Sequence, residues 1–220
     1  MNNFFTNEHG YFNWQSILAI VGILSFLWGI YIYIDKRKSK QKEQKIQSQA
    51  QKQEKITETY NELIRIVSLF PNKTPYDVMT NLPFSPVFNR EDFDTVNRIL
   101  EIQIQKDFQK RLERENLNYQ NEEDIKTEIR NREYYIKEIE EIKNQYFLAK
   151  KEYERFRSTD KIIELYASQD VKNCLVKFDV TWHNAFITGR PLEYNDGRNN
   201  ELDDIRWELE QVIRADLGII

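Results

Sequence analysis

From Tyr11 to Ile34 the chain carries no charged residue, and Trp14 to Ile34 reads WQSILAIVGILSFLWGIYIYI. No other feature limits the fold as strongly. About 20 mostly apolar residues let a helix cross a hydrocarbon core of about 30 Å, so this run predicts a transmembrane helix over residues 14–34. As the core helix of a soluble protein it would be anomalous, because it is apolar all round. A cleaved signal peptide needs a basic leader, a shorter apolar run and a small-residue cleavage site, and the sequence has none of these. Trp14 at one end, with Trp28, Tyr31 and Tyr33 toward the other, suits the two headgroup zones.

Charge sets the expected orientation. Residues 1–34 carry only Glu8, whereas residues 35–45 carry Lys36, Arg37, Lys38, Lys40, Lys42 and Lys45 against Asp35 and Glu43. Positive residues favour the cytoplasmic side of a span, which places residues 1–13 outside as an extracytoplasmic tail and residues 35–220 in the cytoplasm. The setting expected is the inner membrane of a bacterium, since the abundance of Asn, Ile, Lys and Tyr suits an AT-rich bacterial genome. Lys36, Arg37, Lys38 and Lys40 then lie where anionic lipid headgroups are their natural partners. The whole chain is at −4, so residues 46–220 are clearly acidic, and a domain of that sign repels phosphate backbones. Nucleic acid is therefore not an expected partner.

Within the span, Ser16, Ala19, Gly22, Ser25 and Gly29 recur every three or four residues. Helical geometry gathers them on one stripe, and small side chains let helices approach closely in lipid. The stripe is read either as the seam of a homo-oligomer or as ordinary transmembrane composition.

Beyond the span, six Gly and five Pro in 220 residues are too few for a turn-rich β or doubly wound fold. The expected class is all-α: an N-terminal transmembrane helix with a basic, polar helical stalk over 35–55, then a cytoplasmic helical bundle over 56–220. Apolar periodicity begins at Ile56 and runs through Tyr60, Leu63, Ile64, Val67 and Phe70 until Pro71. Thr74 and Pro75 open a short helix. Asn89 is read as the cap of a helix with Phe93, Val96, Leu100, Ile104, Phe108 and Leu112 inward. The longest helix is expected from about Glu122 to Arg157, with Ile125, Ile129, Ile136, Ile139, Tyr146 and Tyr153 on one side. Tyr135, Ile142, Ala149 and Phe156 lie alongside. Ser168 caps a helix that Gly189 stops, and Asn200 caps the last one, with Leu202, Ile205, Leu209, Val212 and Ile213 inward.

The segments LYASQDV (Leu165 to Val171) and IRADLG (Ile213 to Gly218) resemble paired signatures of uncharacterised bacterial single-pass, membrane-anchored helical proteins, where they read roughly LYGSDEV and IRKDLG. The resemblance covers about the last third of the chain. It implies the same layout and little about activity. Physically, Ser168 is an N-cap and Asp170 complements the helix dipole. Arg214 and Asp216 are expected to tie the final turn to a neighbouring helix.

Residues suited to chemistry are few. Cys174 is the sole cysteine, so neither an intramolecular disulfide nor a cysteine zinc site can form. Of the two histidines, His9 lies in the tail and His183 follows Trp182. His183 resembles the histidine of helical ribonucleases of the HEPN type, but the arginine that their motif places four to six residues earlier is replaced by Lys177, Phe178 and Asp179. The sequence holds no Gly-rich phosphate loop, nucleophile elbow or Glu-x-x-His pair. The expectation is a non-enzymatic protein with no catalytic residue, metal or cofactor, acting through self-assembly. Its layout resembles that of anti-phage membrane effectors, including accessory membrane proteins of RNA-targeting CRISPR systems. The alternative is a tether that recruits a cytosolic protein partner through the helical domain.

Overall fold

The computed structural model describes residues 14–113, 117–159, 161–194 and 197–219. The expected tail, 1–13, lies outside them, as do Asp160 and the side chains of residues 14–17, including Ser16 of the stripe. Contacts divide the chain between Lys55 and Ile56 into two compact units.

The protein is all-α, with no β-strand among the described residues. Helix α1 (Trp14–Ser68) runs without a break through span, polar segment and first domain residues. Between 14 and 68 it has no proline, and its two glycines lie in the apolar part. From Leu18 to Lys55 it buries no side chain. One helix is thus long and apolar enough to span a membrane, near the N-terminus.

In the domain, α1 turns Tyr60, Leu63, Ile66 and Val67 inward, the three-and-four spacing of one helix face. Helix α2 (Pro75–Met79) starts with a capping box between Thr74 and Asp77. Helix α3 (Phe93–Gln103) passes into a π-helical turn, Ile104–Phe108, and then α4 (Gln109–Leu112). Helix α5 (Tyr119–Thr159) is the spine of the domain. Helices α6 (Ile162–Tyr166), α7 (Gln169–His183) with a second π-helical turn (Asn184–Thr188), and α8 (Glu201–Asp216) complete it.

Two boundaries differ from expectation, each for a local reason. Helix α3 is capped by Asp92, whose carboxylate accepts from the Thr95 N–H at 3.2 Å, and not by Asn89. Arg90 and Glu91 between them have φ of 51° and 59°, so no helix can pass through them. Their N–H groups are instead used by the carbonyls of Ile187 and Phe186, at 2.8 and 3.0 Å. Helix α5 begins three residues before Glu122 because Asn118 accepts from the Asn121 N–H at 2.7 Å and caps it there.

The buried face of α5 also differs. Ile125, Arg132, Ile139, Tyr146 and Tyr153 follow one another at seven-residue intervals, with Ile142 and Ala149 between them and Phe156 after them, and all are buried. Tyr135 and Ile136 are only partly buried against the core. A 3.6-residue turn drifts against a seven-residue repeat, so neighbouring apolar positions on a wide stripe compete. The core then forms around Phe70, just past α1. Its ring meets Tyr146, Tyr153 and Phe178 edge-on at 6.3, 5.9 and 5.2 Å. Tyr146 stacks on Phe186 at 4.3 Å. Each such aromatic contributes roughly 1.5–3 kcal/mol through burial.

Candidate functional site

The apolar length of α1 offers the first candidate surface. Ala19, Gly22, Ser25 and Gly29 are all exposed. A Cβ added at Gly22 or Gly29 would meet nothing within 4 Å, so the stripe is open along its described length. Leu24, Leu27 and Trp28 are also exposed, on other sides of the helix, while the exposed Phe26 lies among the stripe residues, four after Gly22 and three before Gly29. Trp28 and Tyr31 lie with ring centroids 5.8 Å apart. Lys36, Arg37, Lys38 and Lys40 follow on the same continuous helix with exposed side chains.

In the domain, the two segments LYASQDV and IRADLG meet. The Ser168 hydroxyl accepts from the Val171 N–H at 3.4 Å and caps α7, while the Ser168 N–H donates to the Asp216 carboxylate at 3.1 Å. The same carboxylate accepts the Tyr60 hydroxyl from α1. Burial, followed by this hydrogen bond and the Asp216 charge, holds the Tyr60 phenol well above its ordinary range. Asp170 lies in the first turn of α7, where a carboxylate complements the dipole. Arg214 departs from expectation: its side chain is exposed and makes no ion pair or hydrogen bond among the described residues. It follows the inward Ile213, and the exposed face of α8 gives it no neighbouring helix to tie.

Helix α8 grips α1 at two further places that sequence reasoning missed. Arg206 donates to the carbonyls of Val67 at 3.2 Å and Phe70 at 2.6 Å, and also to the Asn72 side chain. Asn200 donates to the Asn72 carbonyl. Val67 lies in the last turn of α1, and Phe70 and Asn72 just beyond its end at Ser68, so α8 supplies side-chain donors where that helix ends. Burial lowers the Arg206 pKa, opposed by the charge and hydrogen bond of Asp203. The pairing of residues 60, 67–70 and 72 with 216, 206 and 200 makes the two segments antiparallel.

Two more polar hubs hold the other side of the domain. Arg132 is 1% exposed and donates to Gln103 Oε1 at 2.9 Å, the Glu128 carbonyl at 3.2 Å and the Pro83 carbonyl at 3.0 Å. It also pairs with the Glu128 carboxylate, and its guanidinium lies 4.2 Å from the centre of the Phe108 ring. The only sequence signal for this hub is its place seven residues from both Ile125 and Ile139. At the second hub, Glu91 accepts from Tyr146 and Lys150. The loop bearing Glu91 reaches Gly189, whose φ is 75° and where a Cβ would lie 2.1 Å from the Phe88 carbonyl oxygen. Only glycine fits both demands.

No family model, curated protein or solved structure matches this chain. His183 is exposed at the end of α7, its ring 6.0 Å from that of Trp182. Cys174 is buried, and burial first, then the Glu208 charge, pushes its thiol up to about 11. The acids of the first turns pair locally, Glu122 and Glu123 with Lys126 and Asp203 with Arg206. Among the described residues no group of three or more His, Cys, Asp or Glu side chains could hold a metal ion. The polar clusters described above join one helix of the domain to another.

Proposed function

We propose that the chain is a non-enzymatic, single-pass membrane protein that acts through self-assembly of its span, with residues 35–220 in the cytoplasm. One observation carries this reading. The apolar length of α1 is exposed on every side, and its small-residue stripe is open. Water disfavours such a surface, whereas lipid accepts it and leaves close packing of small residues to drive association. The basic cluster from Lys36 to Lys40 supports the orientation and contact with anionic headgroups. The test is the mass of the detergent-purified full-length protein, by light scattering. Wild type is expected as a defined oligomer and the double variant Gly22→Ile, Gly29→Ile as a monomer. Equal masses for the two would sink the seam. A role as an anti-phage membrane effector belongs to the same proposal, and predicts that the double variant loses any protection its host gains against phage.

A second reading, a tether for a cytosolic protein, is favoured by the α7–α8 pair. Val176, Val180 and Trp207 are 59%, 53% and 66% exposed there. A monomeric span with a co-purifying partner lost on Trp207→Asp would support it.

A further inference from the structure

Among the described residues, the non-glycine positions with left-handed backbone all fall in one short stretch: Phe84, Arg90 and Glu91, with φ of 58°, 51° and 59°. A Cβ makes this conformation costly, and for a residue as bulky as Phe84 it is an outlier. It persists only where surrounding contacts impose it. The segment that carries the strain, residues 83–91, lies between α2 and α3, and Phe88 is its one buried side chain.

Polar contacts grip the segment at both ends. At the first, Arg132 donates to the Pro83 carbonyl at 3.0 Å and Gln103 to the Phe84 carbonyl at 2.9 Å. At the second, the Arg90 and Glu91 N–H groups donate to the carbonyls of Ile187 and Phe186. There the Glu91 carboxylate also accepts from Tyr146 and Lys150 of α5. Both described π-helical turns adjoin these grips. Gln103 directly precedes the turn Ile104–Phe108, and Phe186 and Ile187 lie within the turn Asn184–Thr188. Such turns are rare and frequent at functional sites. A bundle packs well with regular helices and unstrained links, yet here the departures gather around one surface segment. Strain that clusters in this way marks sites that switch or bind.

The two grips differ in access. Arg132 is 1% exposed, whereas the side chains of Glu91 and Lys150 are 21% and 23% exposed, so water or a competing charge can reach the second grip. Strain at Arg90 and Glu91 favours its release. Phe88, packed on Phe93 at 4.9 Å and Phe186 at 6.4 Å, makes the closed position the resting one. We infer that residues 83–91 form a strap, fixed at Pro83 and latched at Glu91, whose latched end opens while the helices beneath it stay folded. Every group in this device belongs to the domain, so it stands apart from self-assembly of the span.

The test is hydrogen exchange at single amides, corrected for intrinsic rates, on the full-length protein in detergent. Three chains are compared: wild type, Glu91→Gln and Arg90→Asn. In wild type the amides of residues 90 and 91 should exchange faster than that of the buried Leu209, which reports global unfolding. Glu91→Gln removes the charge of the latch and should quicken exchange at 90 and 91 about tenfold, with Leu209 unchanged. Arg90→Asn supplies a residue that accepts the left-handed region, and should slow exchange at both positions. Equal wild-type rates at 90, 91 and 209 overturn the strap, because the segment then opens only when the whole domain does. A Glu91→Gln variant that speeds all three positions alike, or none, overturns the latch, and faster exchange in Arg90→Asn overturns strain as the force behind release.

Discussion

Between Leu18 and Ile34, α1 carries apolar side chains on every side and buries none, whereas between Tyr60 and Val67 it buries Tyr60, Leu63, Ile66 and Val67. The backbone is the same continuous helix in both places. The difference lies in how apolar residues are distributed around it. An all-round apolar helix has no face to hide, so a bilayer is the solvent that suits it. A helix with one apolar face needs partners, and here α5, α7 and α8 provide them around Phe70. Polar chemistry follows the same division. The apolar end is followed by lysines and an arginine with exposed side chains, whereas the domain end is held by Arg206 and clasped by Asp216.

Substitutions can break this contrast. The largest effect is expected at the domain end, where Phe70→Ala removes a ring packed on Tyr146, Tyr153, Phe178 and Trp182. Urea unfolding of the full-length protein in detergent should show a loss of roughly 3–5 kcal/mol. Leu24→Ala in the apolar length should leave the same transition within about 0.5 kcal/mol. Equal effects would mean that the two ends are not separate structural problems.

A smaller loss is expected at the clasp. Asp216→Ala removes the acceptor of Tyr60 and of the Ser168 N–H, and should cost about 1–2 kcal/mol, near the lower end for charged acceptors because Asp216 is exposed. Hydrogen exchange at the Ser168 amide should quicken. Protection unchanged from wild type would show that the two sequence segments meet without holding each other.

Alkaline pH sharpens the contrast further. The folded Cys174 thiol titrates at about 11, above the value of about 8.5 for an unperturbed thiol. Its contribution to stability is therefore complete below the unfolded value and is lost as pH rises through the folded one. Cys174→Ala should flatten the decline between about pH 8.5 and 11 relative to wild type, as measured by denaturant midpoints across that range. A parallel decline in both proteins would remove the thiol as a cause. The smallest effect belongs to His183→Ala, which should change stability by less than about 0.5 kcal/mol and leave cellular behaviour as in wild type. Lost function with an intact fold would reopen imidazole chemistry.

Local signals in the sequence were enough for much of this. The uncharged run marked the membrane-length helix, and the caps at Thr74, Ser168 and Asn200 and the stop at Gly189 are where residue chemistry places them. Each depends on side chains reaching backbone groups a few residues away, so the information is contained in a short window. Arg132 was illegible because a charged residue on a buried stripe reads as an interruption until Gln103, Glu128 and Pro83 arrive to satisfy it. The start of α3 is not legible in the local sequence, because Arg90 and Glu91 donate to the carbonyls of Ile187 and Phe186, almost a hundred residues away. Helix type, helix ends and the apolar span are local choices that the amino-acid sequence determined by itself. Which helix holds the end of α1, where a buried charge finds its partners, and why Phe84 faces solvent depend on groups distant in the chain, and only tertiary packing brings those groups within hydrogen-bonding distance.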